Sequence, residues 1–154
     1  MKEALAILRE YAARDDEDFL NNLEAVRSAK YAFIILIEAA TNIANHLCAR
    51  LLNLAPTSYA ESFLLLGENK LIDDALAKRL GKMMGFRNLL VYGYGKIDNK
   101  KMLKTMREDL SDLDAFLASL QNIFQRENAV LMRSIFRGLG LGRPAGDYFY
   151  RLSM

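Results

Sequence analysis

The sequence predicts an all-α protein, an up-down bundle of four or five helices. Three observations carry this. Only two prolines occur in 154 residues. Apolar residues recur at spacings of three and four along most of the chain. No stretch alternates with the period of a strand. The connections are short, which sets neighbouring helices antiparallel. A chain of this length that is 52% hydrophobic can fill one core.

Residues 2–13 read as a first helix, with Leu5, Leu8 and Ala12 on one side. The acidic run Asp15, Asp16, Glu17 and Asp18 suits a break and then the electropositive start of a new helix. From Phe19 to about Asn53 the helical period continues with no Gly or Pro. Phe33, Ile37, Ala40, Ala44, Leu47 and Leu51 form one stripe along it. Ile34, Leu36, Thr41, Ile43 and Cys48 make much of the remaining surface apolar. Such a helix is central to its bundle or also packed on a partner. A narrow polar line survives: Glu38, Asn42, Asn45 and His46. Glu38, Asn42 and His46 are four apart and stack on one face.

Residues 53–58, with Pro56, form a connector. Thr57 or Ser58 is placed to N-cap a short helix carrying Tyr59, Phe63 and Leu64, and Glu61 suits a capping box. Gly67 is expected to end it, and Asp73 or Asp74 to start the next. There Leu76, Leu80, Met83, Arg87 and Leu90 share a stripe, and Gly93 and Gly95 are expected to stop it. Asp98 is expected to cap a last long helix with a core face of Met102, Met106, Leu110, Leu113, Leu117 and Leu120. After Gln125 the pattern weakens. The expected division is a bundle over 1–125 and a basic, glycine-rich tail over 126–154, irregular or partner-dependent from 138 onward.

The formal net charge of +2 gives no global attraction to nucleic acid. It is uneven, because from Arg126 onward five arginines face one Glu and one Asp. Arg143, Tyr148, Phe149, Tyr150 and Arg151 there could meet RNA by phosphate contact and stacking. A single cysteine, Cys48, excludes an internal disulfide and suits a reducing cytoplasm. The longest apolar run is broken by Glu38 and is shorter than a membrane span, so no membrane partner is expected. One His and one Cys argue against a zinc site, and no metal or cofactor is expected.

The chemistry concentrates in residues 85–94, G-F-R-N-L-L-V-Y-G-Y. An arginine on an apolar stripe keeps its charge, so Arg87 needs a carboxylate, a phosphate or water. One reading is an ion pair to Glu38 or another acid across the bundle. If that pair were buried, Glu38→Ala would cost about 3–5 kcal/mol. The other reading is a guanidinium that binds phosphate. Tyr92 and Tyr94 flank Gly93, and Asn88 stands beside Arg87.

The stretch R-N-L-L-V-Y-G-Y resembles the signature of HepT-like proteins, a branch of the HEPN superfamily: Arg-Asn, three residues, His, one residue, Tyr. Similar context runs along the chain in I-E-A-A-T-N-I-A-N-H-L, in the connector from Pro56 to Tyr59, in L-I-D-D-A-L-A-K-R-L-G-K-M-M-G-F-R-N-L-L-V, and in the helix start at Ile97-Asp98. The resemblance covers roughly residues 1–125. It implies an all-α homodimer whose motifs face each other, and a metal-independent endoribonuclease toxin acting on RNA. It also implies a minimal nucleotidyltransferase antitoxin that adds AMP to the motif tyrosine, here Tyr94.

On that resemblance Arg87 contacts phosphate, and Tyr92 holds the position of the catalytic base. Asn88, Asn42, His46 and Glu38 support the substrate. The family's histidine is Tyr92 here. Histidine exchanges protons near pH 7, with an ordinary pKa of about 6.5, whereas that of tyrosine is about 10. RNA cleavage is therefore expected to be impaired. A reading of another class is a non-catalytic helical adaptor that binds a nucleotidyltransferase and helps present its substrate.

Overall fold

The structure, a computed structural model, describes residues 1–93 and 97–138, with side chains up to residue 130. Tyr94, Gly95 and the tail residues Arg143, Tyr148, Phe149, Tyr150 and Arg151 lie outside the described residues. Among those described there are seven α-helices and no strand. They are α1 (Lys2–Ala12), α2 (Asp16–Asn21), α3 (Leu23–Leu47), α4 (Tyr59–Glu68), α5 (Asp74–Tyr92), α6 (Asn99–Glu108) and α7 (Leu110–Gly138). The all-α expectation holds. Two of the five expected helices are each split in two.

Both splits have local causes. The long helix expected from Phe19 is interrupted at Asn22, whose extended backbone and side chain accepting from the Ala25 N–H make it the N-cap of α3. The last helix breaks at Asp109, the C-cap of α6. In the other direction, α7 continues without a break past Gln125 to Gly138. The expected boundary between residues 125 and 126 thus falls inside a helix. The chain divides instead into compact units Met1–Leu117 and Ala118–Met154. In the second, residues 118–138 are helical.

In the first unit, α3 packs against α1, α2, α4 and α5. This explains why it is apolar on more than one side. Phe33, Leu36, Ile37, Ala40, Ala44, Leu47 and Cys48 are all buried. A π-helical segment, Cys48–Leu52, extends α3. The combined stretch Leu23–Leu52 is long and apolar enough to cross a membrane by length and composition, yet half of its most apolar window is buried inside the molecule. The difference from the sequence reading is that the sequence reading measured an uninterrupted apolar run, whereas a mean over 18 residues tolerates up to two charged side chains. Arg107 fastens α6 to the turn between α1 and α2. It donates to the Ala12 and Arg14 carbonyl oxygens, both at 3.0 Å, and pairs with Asp16.

The segments that frame the site are well capped. Ser58 accepts from the Glu61 N–H at 3.2 Å. Glu61 reaches back to the Thr57 backbone and hydroxyl, one residue beyond a standard capping box. Asp73 caps α5 by accepting from the Leu76 N–H, and Asp98 caps α6 through Lys100 and Lys101. Gly67 does not end α4. It lies within the helix because a Cβ there would stand 2.7 Å from the Ala77 Cβ of α5. The turn that follows is made by Lys70 in the left-handed region, φ 60°.

An alanine inside a helix is normally worth about 1 kcal/mol over glycine. Here the sign reverses, because the added methyl overpacks the α4–α5 contact. Gly67→Ala is expected to destabilise by about 1–3 kcal/mol in urea unfolding, and a gain in stability would refute the close-approach account.

Hydrogen bonds from Thr57 hold the Glu61 carboxyl below its usual pKa. A depressed carboxyl stabilises the fold above its unfolded value, and that contribution disappears as the pH falls through the folded value. Glu61→Gln should therefore reduce the drop in thermal stability between neutral pH and pH ~3. An unchanged drop would show that this cap carries no linked protonation.

Candidate functional site

α3 and α5 run antiparallel, since Thr41 meets Met84 while Glu38, nearer the α3 N-terminus, meets Arg87 beyond Met84. The buried stripe of α5 is Leu76, Ala77, Leu80 and Met84. Met83 lies off it, half-buried. Arg87, one turn after Met84, sits at the edge of the core with 18% of its side chain exposed. Its Nη2 donates to Glu38 Oε1 at 2.5 Å, and Nη1 lies 3.4 Å from Asn88 Oδ1. The hydrogen bond to Glu38 is the main reason the guanidinium pKa lies above its ordinary value. Burial pushes the other way, and the Tyr92 hydroxyl adds a further upward contribution.

Glu38, Asn42 and Arg87, with Thr41, Tyr59 and Met84, line a cleft of about 90 Å³. The structure thus gathers Glu38, Asn42, Arg87, Asn88 and Tyr92 in one neighbourhood. Tyr92 is the last residue of α5 and is 64% exposed. A Cβ at Gly93 would run into the Leu89 carbonyl oxygen, so this position favours a residue without a side chain. His46 is exposed on α3 and does not line the cleft. Tyr94 lies outside the described residues.

The sequence reading missed Thr41, Tyr59 and Met84 as cleft residues. The Thr41 hydroxyl donates to the Ile37 carbonyl at 2.8 Å, which satisfies the one polar group buried at the cleft floor on α3. Tyr59 comes from the start of α4, and no local pattern signals that α4 meets α3 and α5 at this point. Among the described residues no group of three or more His, Cys, Asp or Glu could hold a metal ion.

A family model described as ribonuclease HepT-like matches residues 1–120. Over 80 residues the chain is 34% identical to the mRNA nuclease HepT of Shewanella oneidensis. That match covers 52% of the chain and 60% of the relative, so the chain spans less than two thirds of that protein's length. It is 23% identical over 106 residues to a tRNA nuclease HepT of Aphanizomenon flos-aquae, covering 69% of the chain and 72% of the relative. Among solved structures, the fold is similar to a tri-AMPylated HEPN toxin of Shewanella oneidensis in complex with an MNT antitoxin. There the TM-score is 0.66 at 25% identity, over 78% of this chain and 95% of that one.

The Arg87–Glu38 pair is not the fully buried ion pair considered from sequence, because the Glu38 side chain is 43% exposed. A partly solvated pair is worth about 1 kcal/mol or less. Glu38→Gln should therefore shift the urea midpoint only slightly. A loss of about 3–5 kcal/mol would instead mark the pair as a buried structural one.

Proposed function

This chain belongs to the HepT-like ribonuclease family, and from that premise we propose that it is the HEPN ribonuclease toxin of a bacterial toxin–antitoxin pair. It acts on RNA in the cytoplasm without a metal ion. Its partner is a minimal nucleotidyltransferase antitoxin that attaches AMP to Tyr94. The observation that carries the reading is Arg87, a permanent cation at the mouth of an open cleft, with Asn88 and Tyr92 at the family's motif spacing.

RNA cleavage of this kind needs three things. A proton must leave the 2′-hydroxyl as its oxygen attacks the adjacent phosphorus. A proton must reach the departing 5′-oxygen. Negative charge growing on the phosphoryl oxygens must be met by a cation. Arg87 supplies the cation. Glu38 engages only one of its terminal nitrogens in a short bond, which leaves N–H donors for a phosphate. Tyr92 can donate a hydrogen bond to the phosphate, but tyrosine is a poor base at neutral pH. The site thus keeps its electrostatic half and lacks an efficient proton acceptor.

The chain acts as a homodimer. Leu89 and Tyr92 on α5 and Tyr31 and Ile35 on α3 are exposed. The antiparallel register brings the N-terminal half of α3 alongside the last turns of α5. A second copy covering this apolar face would set two Arg87–Tyr92 motifs opposite each other.

Cleavage of RNA in the presence of a chelator tests the reading. Tyr92→His should raise the rate at pH 7 by about 10²–10⁴-fold. Adding Arg87→Ala should remove about 10²-fold or more of it. With a cognate nucleotidyltransferase and ATP, the intact mass of the wild type should rise by whole adenylates, and Tyr94→Phe should abolish the rise. Silence of both the wild type and Tyr92→His, with no adenylate added, would end the toxin reading. Adenylation alone, with no cleavage by Tyr92→His, would favour a non-catalytic adaptor.

A further inference from the structure

The cleft at Arg87 does not end at Asn42. Tyr59 and Met84 also line a second and larger hollow of about 510 Å³, whose other walls are Asn45 on α3, residues 56–60 and Asn88 on α5. The two hollows share these two side chains and are adjacent lobes of one groove. One lobe holds the cation. The other holds amides, hydroxyls and an aromatic ring.

The second lobe has the makings of a base site. Tyr59 is 56% exposed at the junction, although it is a large aromatic residue on the first turn of a helix. Asn42 and Asn45 have no side-chain hydrogen-bond partner among the described residues, and Asn88 only faces Arg87 at 3.4 Å. An asparagine amide offers a donor and an acceptor side by side, which matches the edge of a nucleobase. The lobe lies within the size range of small-ligand sites. An exposed ring flanked by free amides and placed next to a phosphate-binding arginine matches how single-stranded RNA is read, by one base stacked and its edge hydrogen-bonded.

We infer that the groove bounded by Asn45, Tyr59 and Asn88 is a nucleobase subsite for single-stranded RNA. It takes the unstacked base next to the phosphate held by Arg87. The base stacks on Tyr59, and the amides of Asn45 and Asn88 meet its edge. This rests on the ribonuclease reading above and adds to it a substrate form, an unpaired strand, and a source of base preference at Asn45 on α3 and Tyr59 on α4, outside the R-N-x3-Y-x-Y motif to which Asn88 belongs. A duplex cannot deliver its base to this site without unpairing.

The test uses the full chain and fluorescence anisotropy with 2′-O-methyl hexanucleotides of each base, which lack the attacking hydroxyl. Helix content by circular dichroism verifies that each variant is folded. The single strands should bind more tightly than the matching duplexes. Tyr59→Leu should weaken them about ten-fold or more, while Tyr59→Phe, which keeps the ring, stays within about two-fold of wild type. Asn45→Ala should flatten the preference among bases. Arg87→Ala should weaken all sequences equally.

If Arg87→Ala weakens binding while Tyr59→Leu and Asn45→Ala alter neither affinity nor base preference, the base subsite is refuted and the ribonuclease reading stands. If the wild type binds no hexanucleotide and Tyr92→His cleaves no RNA, the ribonuclease reading falls and takes the subsite with it.

Discussion

An arginine cannot discard its charge, and placing one at the rim of a helical core constrains its surroundings. Arg87 lies one turn beyond Met84 on the buried stripe of α5. A neutral residue there would continue the core. The guanidinium instead lies where the α3–α5 contact meets solvent, balanced by a Glu38 side chain that is 43% exposed. The cleft lies at that junction. Below it the floor closes with Thr41 and Met84, where the only polar group is a hydroxyl bonded back to its own helix.

The same constraint explains why α4 matters. α3 ends in a π-helical segment, and Asn53 takes a left-handed conformation with φ 54°. Asparagine tolerates that region better than most residues. The turn sends residues 54–58 back toward the bundle, and Ser58 then starts α4 with its first turn beside α3 and α5. Gly67 lets α4 approach α5 closely enough to hold that position. A local backbone choice at Asn53, a cap at Ser58 and a missing methyl at Gly67 together decide that Tyr59 faces the groove.

Much of this was legible because its causes are local. Ser58, Asp73 and Asp98 cap helices through bonds spanning two or three residues; Asp98 was expected at its position, and Ser58 and Asp73 were each one of two neighbouring candidates. The breadth of the apolar surface on α3 pointed to a helix that is central or also packed on a partner, and α3 packs on α1, α2, α4 and α5. One of the two readings of Arg87 gave it Glu38 or another acid, on the simple ground that a cation on an apolar stripe needs an anion, and Glu38 is the partner it meets. The failures also have physical reasons. Asn22 caps α3 within a stretch whose apolar period does not lapse, so periodicity alone hides the break. Gly67 was read as a stop because glycine often is one, whereas its role depends on Ala77, ten residues away on another helix. His46 stacks with Glu38 and Asn42 in a helical projection, yet it does not line the cleft that Asn42 lines. Asn45 on α3, Tyr59 on α4 and Asn88 on α5 line one hollow, and no one-dimensional pattern records that convergence.

The tyrosine at position 92 divides the proposed site into two functions that are usually inseparable. Interactions made equally with substrate and transition state set affinity, and only those that strengthen in the transition state set the chemical rate. On the proposed reading, Arg87 and the amides around the groove would act on a phosphate and a base that are already formed in bound RNA. They hold their ligand whether or not a proton moves. On the proposed reading proton transfer depends on the residue at position 92, where a phenol is a weaker general base at neutral pH than an imidazole. Such a site binds its substrate nearly as well as an efficient one and turns it over far more slowly. A chain built as proposed would still occupy RNA, with a grip that depends on salt through Arg87 and on base identity through the neighbouring lobe.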